Sequence, residues 1–183
     1  MVRRIAAILG RMESGLDRTF LVFSARKLGQ LAARIEDCLG RLTAEQAWQR
    51  GGQNQNSIGN LVLHLCGNVR QWIIAGLGGA ADIRQRDAEF AARQGASPQD
   101  LAARLAATVR EASAVLEGLS QARLAERVSI QGYDVTVLEA VYSVVEHFAG
   151  HTGQVIFAAK LFTGEDLGYY AHLGRPVQGE RIP

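Results

Sequence analysis

Apolar residues recur in four stretches of this chain at the three- and four-residue steps of an amphipathic helix, and the segments between them are rich in Gly, Asn, Gln or charge. The first stretch, about Leu16 to Leu42, aligns Leu21, Leu28, Leu31, Ile35 and Leu39. Thr43, Glu45 and Gln46 then open a polar connection, and Gln49 to Asn56, with Gly51-Gly52 and a cluster of side-chain amides, reads as a loop. Ser57 is a natural N-cap for a second helix reaching about Gly76, with Ile58, Leu61, Val62, Leu65, Val69, Trp72 and Ile73 as its apolar arc.

Gly76, Gly78 and Gly79 break that helix, and residues 80–96 form a long polar connection. Ser97-Pro98 starts a third helix, a cap followed by proline at the first helical position. It runs to about Leu119 on Leu101, Leu105, Val109, Ala112 and Leu116. Between Arg127 and Val137 the period changes to alternation around Gly132, which predicts a short hairpin. Thr136 then caps a fourth helix to about Phe162, with Leu138, Val141, Val145, Phe148, Ile156 and Ala159 on one arc and Gly164 to end it. The pattern predicts an all-α four-helix bundle with a long loop between the second and third helices and a β-hairpin before the fourth. The tail from Glu165, with Tyr169, Tyr170, His172 and Pro176, is expected to wrap the bundle surface.

Composition agrees with one globular domain across all 183 residues, since 48% are hydrophobic and 21% charged. The formal charge is only +2, with basic residues scattered, so a nucleic-acid partner has no electrostatic support. Ile5 to Leu9, after Arg3 and Arg4, is too short for a signal-peptide core or a membrane span, which gives no membrane partner and a cytoplasmic expectation. Two cysteines, Cys38 and Cys66, make a disulfide framework improbable at this size, and both are expected to be reduced.

Candidate chemistry lies in the histidines. His147 and His151 are four positions apart in the fourth helix, and at about 100° per residue both imidazoles share one face. Their stripe contains Ala140, Gln154 and Ala158, turned away from Glu139, Glu146 and Lys160 and bordering the apolar arc. In the second helix, His64 shares a stripe of neutral hydrogen-bonding groups, Ser57, Asn60, Asn68 and Gln71, beside buried Leu61 and Leu65. If the two helices pack as neighbours, three imidazoles converge on one divalent ion and leave coordination positions open, the layout of catalytic metal sites. The other reading is a set of core-edge histidines hydrogen-bonded to Asn60, Asn68 and Gln154 without a metal.

Three ordered segments, N-S-I-G-N-L-V-L-H-L from Asn56 to Leu65, R-Q-R-D-A-E-F from Arg84 to Phe90 and H-F-A-G-H-T-G-Q from His147 to Gln154, resemble the signature segments of the DinB-like superfamily. The resemblance covers nearly the whole chain. It implies a metal-binding four-helix bundle in which one histidine of the second helix and an HxxxH pair of the fourth form the ligand set, here His64, His147 and His151. Zinc or nickel comes first among the implied metals and iron next. The superfamily includes low-molecular-weight-thiol transferases and isomerases, so the implied activity is a metal-dependent transferase or hydrolase acting on a small-molecule or thiol substrate, and a homodimer is implied as well. A non-catalytic metal-binding or dimerisation bundle is the alternative.

Asn60, Asn68 and Gln154 are the residues expected to orient the imidazoles. The Arg84-to-Phe90 segment has two readings. Either Arg84 and Arg86 reach over the metal to hold an anionic substrate group, or Asp87 and Glu89 pair with those arginines and pin the loop, with Phe90 as its apolar anchor. His172, in the irregular tail, is expected to be a surface residue.

Overall fold

The computed structural model describes residues 2–171, with side chains from residue 15 onward, so His172 and Pro176 lie outside the described residues. Helix α1 (Val2–Gly40) starts well before the expected Leu16. The preceding segment holds no proline, and its Ala, Leu, Arg, Met and Glu residues are good helix formers even without a sustained apolar stripe. The expected arc of this helix is buried, from Leu21 through Leu39.

Helix α2 (Ala44–Trp48) corrects the expectation of a plain polar connection at Thr43–Gln46. Thr43 and Gln46 form a reciprocal capping box that starts a single helical turn and seats Ala47 in the core. Helix α3 (Ile58–Val69) starts at a second such box, Ser57 with Asn60, and continues into a π-helical turn over Arg70–Ala75. That turn ends on a bond from Gly76 N to Gln71 O of 3.0 Å. The connection over residues 80–96 is not loop throughout: helix α4 (Arg86–Ala91) lies within it and buries Glu89.

Helix α5 (Pro98–Gly118) begins at the Ser97 cap as expected and ends before a 3₁₀ turn at Gln121–Ala125. The hairpin is present as β1 (Arg127–Ile130) and β2 (Tyr133–Thr136), with Arg127 opposite Thr136 and Ile130 opposite Tyr133. Its two-residue turn places Gln131 at φ 54° and Gly132 at φ 82°, the left-handed pair that matches strand twist. Helix α6 (Val137–Thr163) is capped by a Thr136–Glu139 box and closed by Gly164 at φ 71°. The arc of α6 is rotated from the one expected. Leu138 is 43% exposed, because Val137, directly after the hairpin, takes the inward position, followed by Val141, Val144, Phe148, Thr152 and Val155.

Helices α1 and α3 each pack against both α5 and α6, enclosing one core. The adjacency of α3 and α6 positions the candidate site. Phe148, fully buried between the two histidines of α6, anchors that helix with a contribution of about 1.5–3 kcal/mol and thereby fixes the faces that His147 and His151 present. The tail turns back along α1 as far as it is described, with Leu167 buried and the Tyr169 hydroxyl donating to Asp37 Oδ2 at 2.8 Å. No helix among the described residues is long and apolar enough to cross a membrane.

Candidate metal centre

The three histidines singled out by spacing meet in space. His64 comes from the middle of α3, His147 and His151 from the middle of α6, and one nitrogen from each lies within 4.8 Å of the other two. His64 is buried, and the other two are half-buried. The rings stand edge-on, with centroids 5.0 Å apart for His64 and His147, 5.2 Å for His64 and His151, and 4.5 Å for the α6 pair.

Hydrogen-bond partners fix the tautomers of His64 and His151. His64 Nδ1 faces Glu89 Oε2 at 3.0 Å, and a carboxylate only accepts, so the proton sits on Nδ1 and Nε2 carries a lone pair. Arg84 Nη2 also lies 3.1 Å from that Nδ1, but a guanidinium only donates, and its proton goes to Glu89 Oε2 at 2.9 Å. His151 Nδ1 donates to Gln154 Oε1 at 2.7 Å, which likewise frees its Nε2. His64 Nε2 and His147 Nε2 are 3.0 Å apart. Two imidazole nitrogens on one ion at about 2.0–2.1 Å lie roughly 2.9–3.4 Å from each other, so this separation fits a shared ion. The donor set, three neutral imidazoles, suits zinc, nickel or iron.

For two of the three, electrostatics favour the neutral, ligand-ready form. Burial depresses the pKa of His64 despite the nearby Glu89 carboxylate. Burial, reinforced by His151, His64 and Arg84, holds His147 down to about 4.

Glu89 is the residue that the sequence reading placed only as a loop pin, and it does both jobs. Arg84 Nε donates to Glu89 Oε1 at 2.8 Å, completing a two-pronged pair whose side chains are 5% and 10% exposed. Arg84 Nη1 is tied to Gln71 Oε1 at 2.9 Å, and Gln71 in turn to Asp82 Oδ2 at 2.8 Å. Arg84 is therefore held in the pinning arrangement. Arg86 is exposed and stacks its guanidinium 5.0 Å from the Phe90 ring centre instead of pairing with an acid, and Asp87 is exposed on the first turn of α4. Phe90 is the expected anchor, its ring 4.7 Å from that of His64.

Gln154 is hydrogen-bonded to an imidazole, whereas Asn60 and Asn68 make no hydrogen bond to a histidine among the described residues. Asn60 is fully buried and works through the backbone, donating to Glu89 O at 2.8 Å and Ala92 O at 2.9 Å. Its Oδ1 accepts from Arg50 Nη2 at 2.6 Å, and the same Nη2 reaches Phe90 O at 2.9 Å. Asn60 thus straps α4 onto α3 and holds Glu89 over His64. Arg50 was not singled out from the sequence, since a lone arginine in a polar loop gives no signal. Asn68 Oδ1 is buried without a partner among the described residues. It lines a cavity of about 430 Å³ beside the cluster, together with His64, His147, Trp72, Arg86 and Tyr133.

A family model described as a protein of unknown function (DUF1572) matches residues 16–171. The bundle is similar to the crystal structure of a conserved protein from Enterococcus faecalis, with TM-score 0.67 and 20% identity over 78% of this chain and 96% of that one. It is also similar to a DinB-like protein, YjoA, from Bacillus subtilis, with TM-score 0.62 and 16% identity over 80% of this chain and 96% of that one. No curated protein matches the chain. At these identities the structural likeness speaks for the fold, and the fold is the DinB-like bundle that the three sequence segments imply.

Proposed function

This chain belongs to the DUF1572 family of proteins of unknown function, and from that premise we propose that it is a metal-dependent transferase or hydrolase of the thiol-transferase kind, using a divalent ion held by His64, His147 and His151. One observation carries the reading: His64 Nε2 and His147 Nε2 approach to 3.0 Å in a cluster where the outer nitrogens of His64 and His151 are engaged by Glu89 and Gln154. Metal-bound imidazoles characteristically have their outer nitrogens held in this way. Zinc or nickel is the proposed ion, with iron third.

A divalent ion in such a site supplies Lewis acidity that lowers the pKa of a water or thiol toward neutral. The protein's own residues do the rest. Glu89 and Gln154 keep the imidazole protons on the outer nitrogens of His64 and His151. Arg84 bonds Glu89 through Nε and Nη2 and Gln71 through Nη1, so it holds the scaffold at the edge of the adjoining cavity, where Arg86 and Asn68 are the groups we assign to substrate contact. Buried, unpaired Cys38 and Cys66 support a reducing compartment, and we propose the cytoplasm.

The test is a screen of zinc- and nickel-loaded protein against thiol-transfer and ester- or amide-hydrolysis substrates, with the His147→Ala, His151→Ala variant as blank. Turnover by the loaded wild type alone supports the enzyme. A fully loaded protein that turns over none of them contradicts it.

A second reading, a non-catalytic metal-binding or dimerisation bundle, is supported by Phe157 and Leu161, which stand 71% and 69% exposed one turn apart on α6. Sedimentation equilibrium of wild type and Phe157→Ser, Leu161→Ser measures that. A homodimer lost in the variant supports an interface there, and an unchanged state contradicts it.

A further inference from the structure

The cavity beside the histidines has a chemistry of its own. Its floor is the end of α3 and the π-helical turn, which carries Trp72, and its far wall is the hairpin. Trp72 Nε1 donates to Gln131 Oε1 at 3.2 Å, and the Trp72 and Tyr133 rings lie 6.1 Å apart. Gln131 is held in the left-handed region at φ 54° while it accepts that bond, so the wall is fixed to the floor.

Three chemically distinct groups lining this space, the Arg86 cation, the Asn68 amide and the exposed Glu146 carboxylate, include polar atoms without a protein partner among the described residues. Arg86 has an aromatic neighbour but no carboxylate partner among the described residues, unlike Arg84, whose guanidinium is committed on both sides. Asn68 presents a buried Oδ1 that no protein donor satisfies, and a buried acceptor left without a donor is costly unless something fills the role. A cation with two acceptors, the Asn68 amide oxygen and the Glu146 carboxylate, beside an imidazole cluster calls for a molecule that carries both an anionic group and a hydrogen-bond donor.

We infer that this cavity binds a small organic anion bearing an N–H or O–H donor, with Arg86 on the anionic group and Asn68 on the donor. The inference names the substrate class of the proposed metal site and rests on that reading for its reactivity. An anionic group set against Arg86 and a donor set against Asn68 orient the molecule at two points, leaving its remaining end directed to His64 and His147.

The experiment is a nitrogen-15 NMR titration of metal-free and zinc-loaded protein with three probes: N-acetylglycine, N-acetylsarcosine, which lacks the N–H, and N-acetylglycinamide, which lacks the charge. N-acetylglycine is expected to bind at least about tenfold tighter than either of the others, one charge-assisted or buried hydrogen bond being enough for that factor. Shifts should centre on Asn68, Trp72, Gln131 and Tyr133. Arg86→Gln, an exposed position that leaves the core intact, should remove the preference for charge, and Asn68→Ala the preference for the N–H. Equal binding of all three probes, or preferences that survive these substitutions, overturns the assignment. Zinc that fails to bind while the probe still seats contradicts the metal reading alone, whereas zinc that binds without any preference among the probes contradicts the cavity assignment alone.

Discussion

Glu89 Oε2 lies 3.0 Å from His64 Nδ1 while both oxygens of the same carboxylate take bonds from Arg84, so one side chain joins an imidazole of the cluster to a buried cation. Removing it leaves Arg84, only 5% exposed, without its counter-charge. Glu89→Ala is expected to cost about 3–5 kcal/mol in urea unfolding. Zinc affinity measured by indicator competition at a temperature where the variant is folded is expected to fall about 10–100-fold. Unchanged zinc affinity would show that Glu89 serves the loop and not the imidazole.

The Glu89–Arg84 pair lies directly against Gly67 on α3, where a Cβ would collide with the Glu89 carboxyl group and crowd Arg84. Gly67→Ala is therefore expected to destabilise by about 1–3 kcal/mol, the usual cost of overpacking. Gly29 in α1 is the control, since a Cβ there meets nothing within 4 Å. Gly29→Ala should stabilise by about 0.5–1 kcal/mol through helix propensity. Urea midpoints that move in the same direction for both variants contradict the packing assigned at Gly67.

Helix pattern and the histidine cluster were legible for one reason: a helix repeats its environment every three or four residues. The arcs from Leu21 to Leu39 and from Leu101 to Leu116 are buried, and the same period aligned His147 with His151. Leu138 was misplaced because the inward phase of α6 is set by the hairpin ahead of it, which delivers Val137 to the core. Glu89 was harder, since its partner His64 is 25 positions away and no period links them. The Thr43–Gln46 capping box was a readable signal in a segment too short to show a stripe. Asn60 and Asn68 share the polar stripe of α3 but differ in what covers them, α4 for Asn60 and the cavity for Asn68, and sequence carries no record of that.

Both cysteines are buried, and burial pushes the Cys66 thiol up from 9.0 to about 11 and raises Cys38 as well, against a lowering contact with Tyr169. A raised pKa means less thiolate, on the order of one part in a thousand for Cys66 at pH 8. Neither thiol should react within minutes with an aromatic disulfide reagent at pH 8 in the native protein, and both should react at once in denaturant. Linkage has the same sign: with the folded pKa of Cys66 above the unfolded one, its contribution to stability is full below pH 9 and is lost as pH rises through about 11. Rapid native labelling at pH 8, or stability that increases over pH 9 to 11, contradicts the burial assigned to these groups.

The central claim is that His64, His147 and His151 hold one ion, and elemental mass spectrometry on protein purified without an affinity tag measures it directly. Wild type is expected to carry near-stoichiometric zinc, nickel or iron, and the His147→Ala, His151→Ala variant none. Wild type that stays empty after dialysis against these ions would contradict the account and leave three hydrogen-bonded histidines in a structural bundle.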